Sequence, residues 1–146
     1  MPPAKPLWRW TAQEIATATH AGTISATDVV ESVLARIDEV NPSLNAVVEI
    51  LADEARQRAR SLDKSAQTKG RLHGVPVTIK INIDQKGHAT SNGIKAFEHL
   101  IATSDAPIIR NLQAEGAIII GRTNTPEFSF RADTDNPLYG RTFNPW

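Results

Sequence analysis

The sequence predicts an α/β fold, and three consecutive features of its second half support that prediction. Apolar and polar residues alternate strictly over 75–83, which is the period of a half-buried β-strand. A helical stretch follows over 106–115, and the continuous apolar run 117–121 is typical of a central strand covered on both faces. A right-handed crossover through that helix would make the two strands parallel.

Composition narrows the class of protein. The 146 residues suit about one domain, and 16 basic residues balance 16 acidic ones. A chain without net charge has no general attraction to nucleic acid or to anionic membranes, so neither is expected as a partner. There are no cysteines, which excludes disulfides and thiolate metal sites. Because the sequence also has no signal-peptide core, we expect a cytoplasmic protein.

The first third of the sequence predicts helices. Thr11 and Glu14 have the spacing of a capping box, and Gly22 suits the end of that first helix. Ser25 can cap a second helix, whose apolar residues recur near the helical period. We expect this helix to end at residues 41–42, because the residue before a proline avoids helical geometry.

The remaining elements follow from similar local signals. A short strand is predicted at 46–50, and 53–65 predicts a charged helix with a thin apolar face. Asp105 can cap the helix of the β-α-β unit, and Gly116 suits its end. Residues 123–128 indicate a loop that enters a short helix.

These elements predict one domain segment over 1–146, helical over 8–66, β-α-β over 72–123 and loop-rich over 124–146. Two good strands and one or two weaker ones are too few for a complete α/β core. A buried strand such as 117–121 needs neighbours on both sides. We therefore expect this segment to be the front part of a larger domain.

Common catalytic and cofactor motifs are missing from the sequence. It contains no glycine-rich nucleotide fingerprint, no phosphate-binding loop, no paired-histidine zinc motif and no G-x-S-x-G elbow. His88 lies in a loop and is interpreted as a surface or packing residue. We therefore expect no metal and no cofactor.

Three blocks of the sequence together resemble the amidase signature family. They are "GRLHGVPVTIKINID", "GAIIIGRTNTPEF" and "NPLYGRTFNPW", in the family's order and spacing. The resemblance covers nearly the whole chain. It implies the N-terminal portion of that family's α/β/α sandwich, with a mixed central sheet that is incomplete in this chain.

The resemblance also implies an amide hydrolase with a Ser-Ser-Lys triad, in which Lys80 falls on the lysine position. The alternating pattern alone favours a solvent-facing Lys80 on a half-buried strand, whereas the three family blocks around it favour the catalytic position. A lysine base must be neutral when it accepts a proton, and burial disfavours its charged form. The resemblance places both serines after Trp146, in the family's glycine- and serine-rich signature. The chain alone is therefore expected to be inactive.

Two positions depart from the family's usual residues. Ile81 stands where the family usually has aspartate, and Ser129 stands where glycine is frequent. Isoleucine cannot accept the hydrogen bonds that a carboxylate would. The resemblance implies that Phe128, Ser129 and Phe130 lie beside the substrate channel. The alternative is that the aromatic rings pack a short helix against the sheet.

The expected partner is a small-molecule amide, together with a homo-oligomer or a complementing C-terminal segment. Two other functions stay open at the level of sequence. The chain could be a non-catalytic truncated remnant or interaction module. It could also belong to the amidase component of a transamidase complex, which hands ammonia to a second protein.

Overall fold

A computed structural model describes residues 5–65 and 70–146. The chain divides into two compact units. Unit 1 comprises Met1–Glu39, Leu51–Val77 and Leu112–Ile120. Unit 2 comprises Val40–Ile50, Thr78–Asn111 and Gly121–Trp146. Each unit is therefore assembled from segments that are distant in sequence.

The described residues form four α-helices, three β-strands and three short 3₁₀ turns. The helices are α1 (Ala12–Ala21), α2 (Ala26–Leu44), α3 (Ala52–Lys64) and α4 (Pro107–Ala114). The strands are β1 (Val47–Ile50), β2 (Pro76–Lys80) and β3 (Ile118–Thr123). The 3₁₀ turns cover Leu7–Arg9, Lys95–Phe97 and Glu127–Ser129. The predicted α/β class is confirmed. Among the described helices, none has the length and apolar character that a membrane span requires.

The three strands form one mixed sheet in the order β1-β3-β2. Strands β1 and β3 are antiparallel, with Ile50 opposite Gly121 and an irregularity in register earlier in β1. Two hydrogen bonds show that β2 and β3 run in the same direction. Ile118 N–H donates to the Val75 carbonyl, and further along both strands Ile81 N–H donates to the Thr123 carbonyl. The predicted parallel neighbours, connected through α4, are confirmed.

Strand β2 is shorter than the alternating sequence predicts. It ends at Lys80, whereas the pattern continues to Ile83. The Ile83 N–H donates to the Lys80 carbonyl, so the backbone turns directly after the strand. Pairing with β3 continues only to the Ile81 N–H, and the Ile81 side chain is buried where the backbone turns.

The helix ends in unit 1 follow the predicted caps. Thr11 and Glu14 form a reciprocal capping box, and Gly22 ends α1 with a left-handed backbone. The hydrogen bond from the Thr11 backbone N–H, followed by that from Lys5, holds the pKa of Glu14 below its ordinary value. Ser25 Oγ accepts from the Asp28 N–H, as a cap of α2 should.

The core of unit 1 is apolar and closely packed. Ile15, Val29 and Val75 are buried together, with partly buried neighbours that include Trp10 and Leu72. On α3, the predicted thin apolar face is buried, since Ala55, Ala59 and Leu62 are each less than a tenth exposed. Burial of this kind is the main favourable contribution to folding.

The predicted end of α2 is wrong, because the helix continues through Pro42 to Leu44. A proline near the end of a helix removes one backbone donor and disturbs few remaining turns. The side chain of Asn41 then organises the exit from the helix. Its Oδ1 accepts from the Ala46 and Val47 N–H groups, while its Nδ2 donates to the Val47 carbonyl. These bonds favour the helical conformation that the following proline alone would disfavour.

Asp105 differs in detail from its predicted role as a cap of α4. Its Oδ1 accepts from the backbone N–H of Lys86 at 2.7 Å. The carboxylate thus ties the loop after β2 to the start of α4, within unit 2. The end of α4 follows the prediction, since Gly116 has a φ of 87°.

Candidate functional site

Lys80 lies at the end of β2, and its side chain is partly buried. Its neighbours along the chain are both buried, with Ile79 4% and Ile81 0% exposed. The Lys80 Nζ donates a hydrogen bond of 2.8 Å to the main-chain carbonyl of Asn124. The amine is therefore held against the segment that follows β3.

Asn124 is buried, and each of its polar groups has a hydrogen-bond partner. Its backbone N–H donates to the Ala46 carbonyl, and its Nδ2 donates to the Gly140 carbonyl and to Thr142 Oγ1. Its Oδ1 accepts from the Thr125 N–H and from Asn136 Nδ2. With every group engaged, the carbonyl that receives Lys80 has a fixed position and direction.

Asn136 is the second buried amide of this site. Its Nδ2 donates to Asn124 Oδ1 at 2.7 Å and to the Thr125 carbonyl at 2.8 Å. Its Oδ1 accepts from the backbone N–H groups of Leu138 and Tyr139. An asparagine side chain that accepts from residues two and three ahead stabilises a turn. The loop-rich C-terminal segment is thereby attached to the residues beside Lys80.

A chain of hydroxyl and amide groups connects the Lys80 loop to the 3₁₀ turn. Asn82 Nδ2 donates to Ser129 Oγ at 3.1 Å, and Ser129 Oγ lies 2.9 Å from Thr125 Oγ1. Phe128 and Ser129 both have positive φ values, of 50° and 62°. Such values are uncommon for residues other than glycine.

The aromatic side chains of the turn are exposed in the described residues. Phe128 is 49% exposed and Phe130 is 87% exposed. The ring of Phe128 meets Phe97 edge-on, with centroids 6.0 Å apart, and Phe130 at a tilt. Within unit 2 these rings contact each other at the surface.

Arg122 forms a buried anchor within β3. Its side chain is 0% exposed, and it donates to the Ala89 carbonyl at 2.7 Å and to the Ile83 carbonyl at 3.0 Å. It also meets Glu49 of β1 at 3.3 Å, and the same carboxylate lies 2.6 Å from His88 Nδ1. His88, predicted to be a surface or packing residue, therefore contacts the same carboxylate as Arg122. These contacts hold the loop after Lys80 against the sheet.

Sequence reasoning selected Lys80 and residues 128–130 but missed Arg122, Asn124 and Asn136. Two signals were available for them. A basic residue directly after an apolar run is a candidate for burial with partners. An Asn-Pro pair followed by glycine indicates a turn held by the asparagine side chain. Among the described residues, no group of three metal-binding side chains could hold a metal ion.

Comparison with known proteins finds relatives that match nearly the whole chain. The sequence model of the family named Amidase matches residues 28–146. Indoleacetamide hydrolase of Bradyrhizobium diazoefficiens is 52% identical over 99% of this chain and 28% of its own length. A glutamyl-tRNA(Gln) amidotransferase component of Fusobacterium nucleatum is 35% identical over 96% of this chain and 29% of its own length.

A solved structure also matches nearly the whole chain. A bacterial aryl acylamidase of the amidase signature enzymes superimposes with a TM-score of 0.90. It is 32% identical, and the match covers 97% of this chain and 30% of that one. The chain thus spans about 30% of the length of the proteins that it matches, which agrees with the predicted incomplete domain.

Proposed function

The chain belongs to the amidase signature family, and we propose that the protein hydrolyses carboxylic amides with Lys80 as its catalytic base. The observation that carries the proposal is the position of the Lys80 amine. It is partly buried at the end of a strand and held by a hydrogen bond of 2.8 Å to a buried segment. The two serines of the triad would come from the rest of the protein.

The proposed reaction is acyl transfer to serine followed by hydrolysis. Neutral Lys80 takes a proton from a bridging serine, which takes the proton of the nucleophilic serine as its oxygen bonds to the amide carbon. The C–N bond then breaks, and the proton returns through the same groups to the leaving nitrogen. Water attacks the acyl-serine, releasing the carboxylic acid and restoring the serine hydroxyl.

We propose that the substrate is a primary amide of an arylacetic acid. The relative named indoleacetamide hydrolase supports this class, at 52% identity over 99% of the chain. The exposed rings of Phe128 and Phe130 offer an aromatic surface, and aromatic rings favour edge-on and offset contacts with one another. Ser129 lies between them and is hydrogen-bonded to Asn82, two residues beyond Lys80.

We further propose that the rest of the protein covers a surface of unit 2. Large apolar side chains that are exposed in the described residues all belong to that unit, namely Ile50, Leu100, Ile101, Ile108, Phe128, Phe130, Phe143 and Trp146. A concentration of exposed apolar side chains marks an interaction surface. A C-terminal segment of the same domain, linked to the chain or complementing it, suits this surface.

The test compares the whole protein with the isolated 146-residue chain. Ammonia release is measured with indole-3-acetamide, phenylacetamide and acetamide. We expect the whole protein to cleave the two arylacetamides at least about tenfold more efficiently than acetamide, a ratio that one or two buried groups can supply. The isolated chain is expected to cleave none of them.

Three results would contradict parts of this proposal. Failure of the whole protein to release ammonia from any amide would overturn the proposed activity. Preference for acetamide would overturn the arylacetic substrate alone. Turnover by the isolated chain would show that its own residues supply a nucleophile. Delivery of ammonia to a second protein, without release into solution, would support the transamidase alternative.

Ser129 allows the channel and packing interpretations to be separated. Ser129→Trp in the whole protein is expected to change the ratio of kcat/KM for indole-3-acetamide to kcat/KM for acetamide at least about tenfold. The reason is that the tryptophan side chain would occupy the space that the substrate's ring needs. Ser129→Ala is the matched control, since it removes the hydroxyl and keeps the space open. A large fall in melting temperature with an unchanged ratio would favour the packing interpretation.

A further inference from the structure

We propose that Asn136 is a positioning residue for Lys80, and that it acts through the backbone of Asn124. This inference rests on the proposed function, since it assumes that Lys80 is the base. Asn136 lies 56 residues after Lys80 in the sequence (136 minus 80). Asn136 is buried, and its side-chain hydrogen bonds go to Asn124, Thr125 and its own turn, not to Lys80.

The first step of the argument concerns the direction of the amine. The Lys80 Nζ donates to the main-chain carbonyl of Asn124. A neutral amine has a single lone pair, and donating one N–H to a fixed carbonyl restricts the directions in which that lone pair points. Proton transfer requires the lone pair to face the donor within hydrogen-bond reach. The position of the Asn124 carbonyl therefore determines how well Lys80 can act as a base.

The second step concerns what fixes that carbonyl. Asn136 Nδ2 uses both of its N–H groups, one on Asn124 Oδ1 and one on the Thr125 carbonyl. These two acceptors lie on either side of the Asn124 carbonyl along the chain. Asn124 is 4% exposed and Thr125 is 0% exposed, so water cannot readily replace either bond. One amide thus holds the peptide unit that receives the lysine.

The third step concerns the amide of Asn136 itself. Its oxygen faces the N–H groups of Leu138 and Tyr139, and its nitrogen faces two oxygens. Only one orientation of the amide satisfies all four contacts. Aspartate has nearly the same shape and keeps the oxygen that holds the turn. It replaces the donating nitrogen with an oxygen that faces two other oxygens.

Asn136→Asp in the whole protein is therefore the decisive variant. We expect kcat for indole-3-acetamide to fall about 10- to 100-fold with little change in KM, since small misplacements of catalytic groups have effects of this size. Hydrolysis of the p-nitrophenyl ester of indole-3-acetic acid should fall less, because its leaving group needs no proton. The ratio of amide to ester turnover is measured, since this ratio does not depend on how much of the protein is folded.

Asn45→Asp is the matched control. Asn45 Nδ2 donates to the carbonyls of Tyr139 and Arg141, so it holds the same loop without touching Asn124. Asn136→Ser is a milder second variant, because a serine hydroxyl can hold the turn while both bonds from Asn136 Nδ2 are lost. It decides the question should Asn136→Asp fail to fold. We expect an unchanged amide-to-ester ratio for Asn45→Asp and a lowered ratio for Asn136→Ser.

An unchanged ratio in Asn136→Asp, or in Asn136→Ser where the first variant does not fold, would overturn the inference. An equal fall in Asn45→Asp would do the same, because loosening of the loop would then explain the effect. The proposed function has its own separate test in Lys80→Met. Loss of activity there combined with an unchanged ratio in Asn136→Asp would refute only the positioning role.

Discussion

Replacing Lys80 with methionine in the whole protein is expected to lower kcat for amide hydrolysis about 10³-fold, within the range of roughly 10²- to 10⁴-fold that general acid–base groups typically contribute. Methionine keeps an unbranched side chain in the partly buried position and removes the amine. The fall in kcat should be large because Lys80 would both accept the proton from the bridging serine and return it towards the leaving nitrogen. The measurement is steady-state ammonia release from indole-3-acetamide, together with a thermal melt of both proteins.

The melting temperature should change little, because the hydrogen bond from Lys80 to Asn124 is a single interaction of a partly buried group. Lys86→Met is the matched control, since Lys86 is an exposed lysine on the loop that follows β2. We expect that control to retain normal turnover. Near-normal activity of Lys80→Met would show that the lysine position had been misassigned.

Replacing Arg122 with methionine is expected to lower the free energy of unfolding of the whole protein by about 3 kcal/mol, since each buried acceptor left unpaired costs roughly 1–3 kcal/mol. The change removes the donor of the Ile83 and Ala89 carbonyls. Methionine keeps part of the packing volume of the arginine stem. Urea denaturation measures the change, and hydrogen exchange should become faster over residues 83–89.

Arg56→Met provides the comparison for Arg122. Arg56 pairs with Glu31 at the surface, where the two side chains are 36% and 48% exposed. Exposed pairs of this kind contribute about 0–1 kcal/mol, so the control should lose little stability. Equal losses in the two variants would contradict the anchoring role that we assign to Arg122.

The transamidase and arylacetamide interpretations make different demands on the same residues. Both need the Lys80 base, so the Lys80 variant does not separate them. The Ser129 variants do, because only the arylacetamide interpretation assigns Phe128 and Phe130 to binding of an aromatic acyl group. The Ser129 variants therefore bear on substrate class, while the Lys80 variant bears on the chemistry.

Local sequence determined the caps of α1, the cap at the start of α2, the thin face of α3 and the buried character of β3. Each of these follows from neighbouring residues, because capping depends on a spacing of about three residues and burial on a period of about 3.6 or 2. The Thr11–Glu14 box and the apolar run before Gly121 could therefore be identified without coordinates. Lys80 as a catalytic candidate came from resemblance to a family, and its role stays a prediction.

Only the tertiary structure decided which distant residues meet. The extension of α2 past Pro42 depends on the Asn41 side chain and a strand that follows it, and the burial of Arg122 depends on carbonyls in a loop before α4. The contact of Asn136 with Asn124 closes a loop whose length has no periodic signature. Such contacts arise from chain closure and from the need of every buried polar group for a partner. The residues next to Asn41, Arg122 or Asn136 in the sequence therefore do not predict which distant groups these side chains contact.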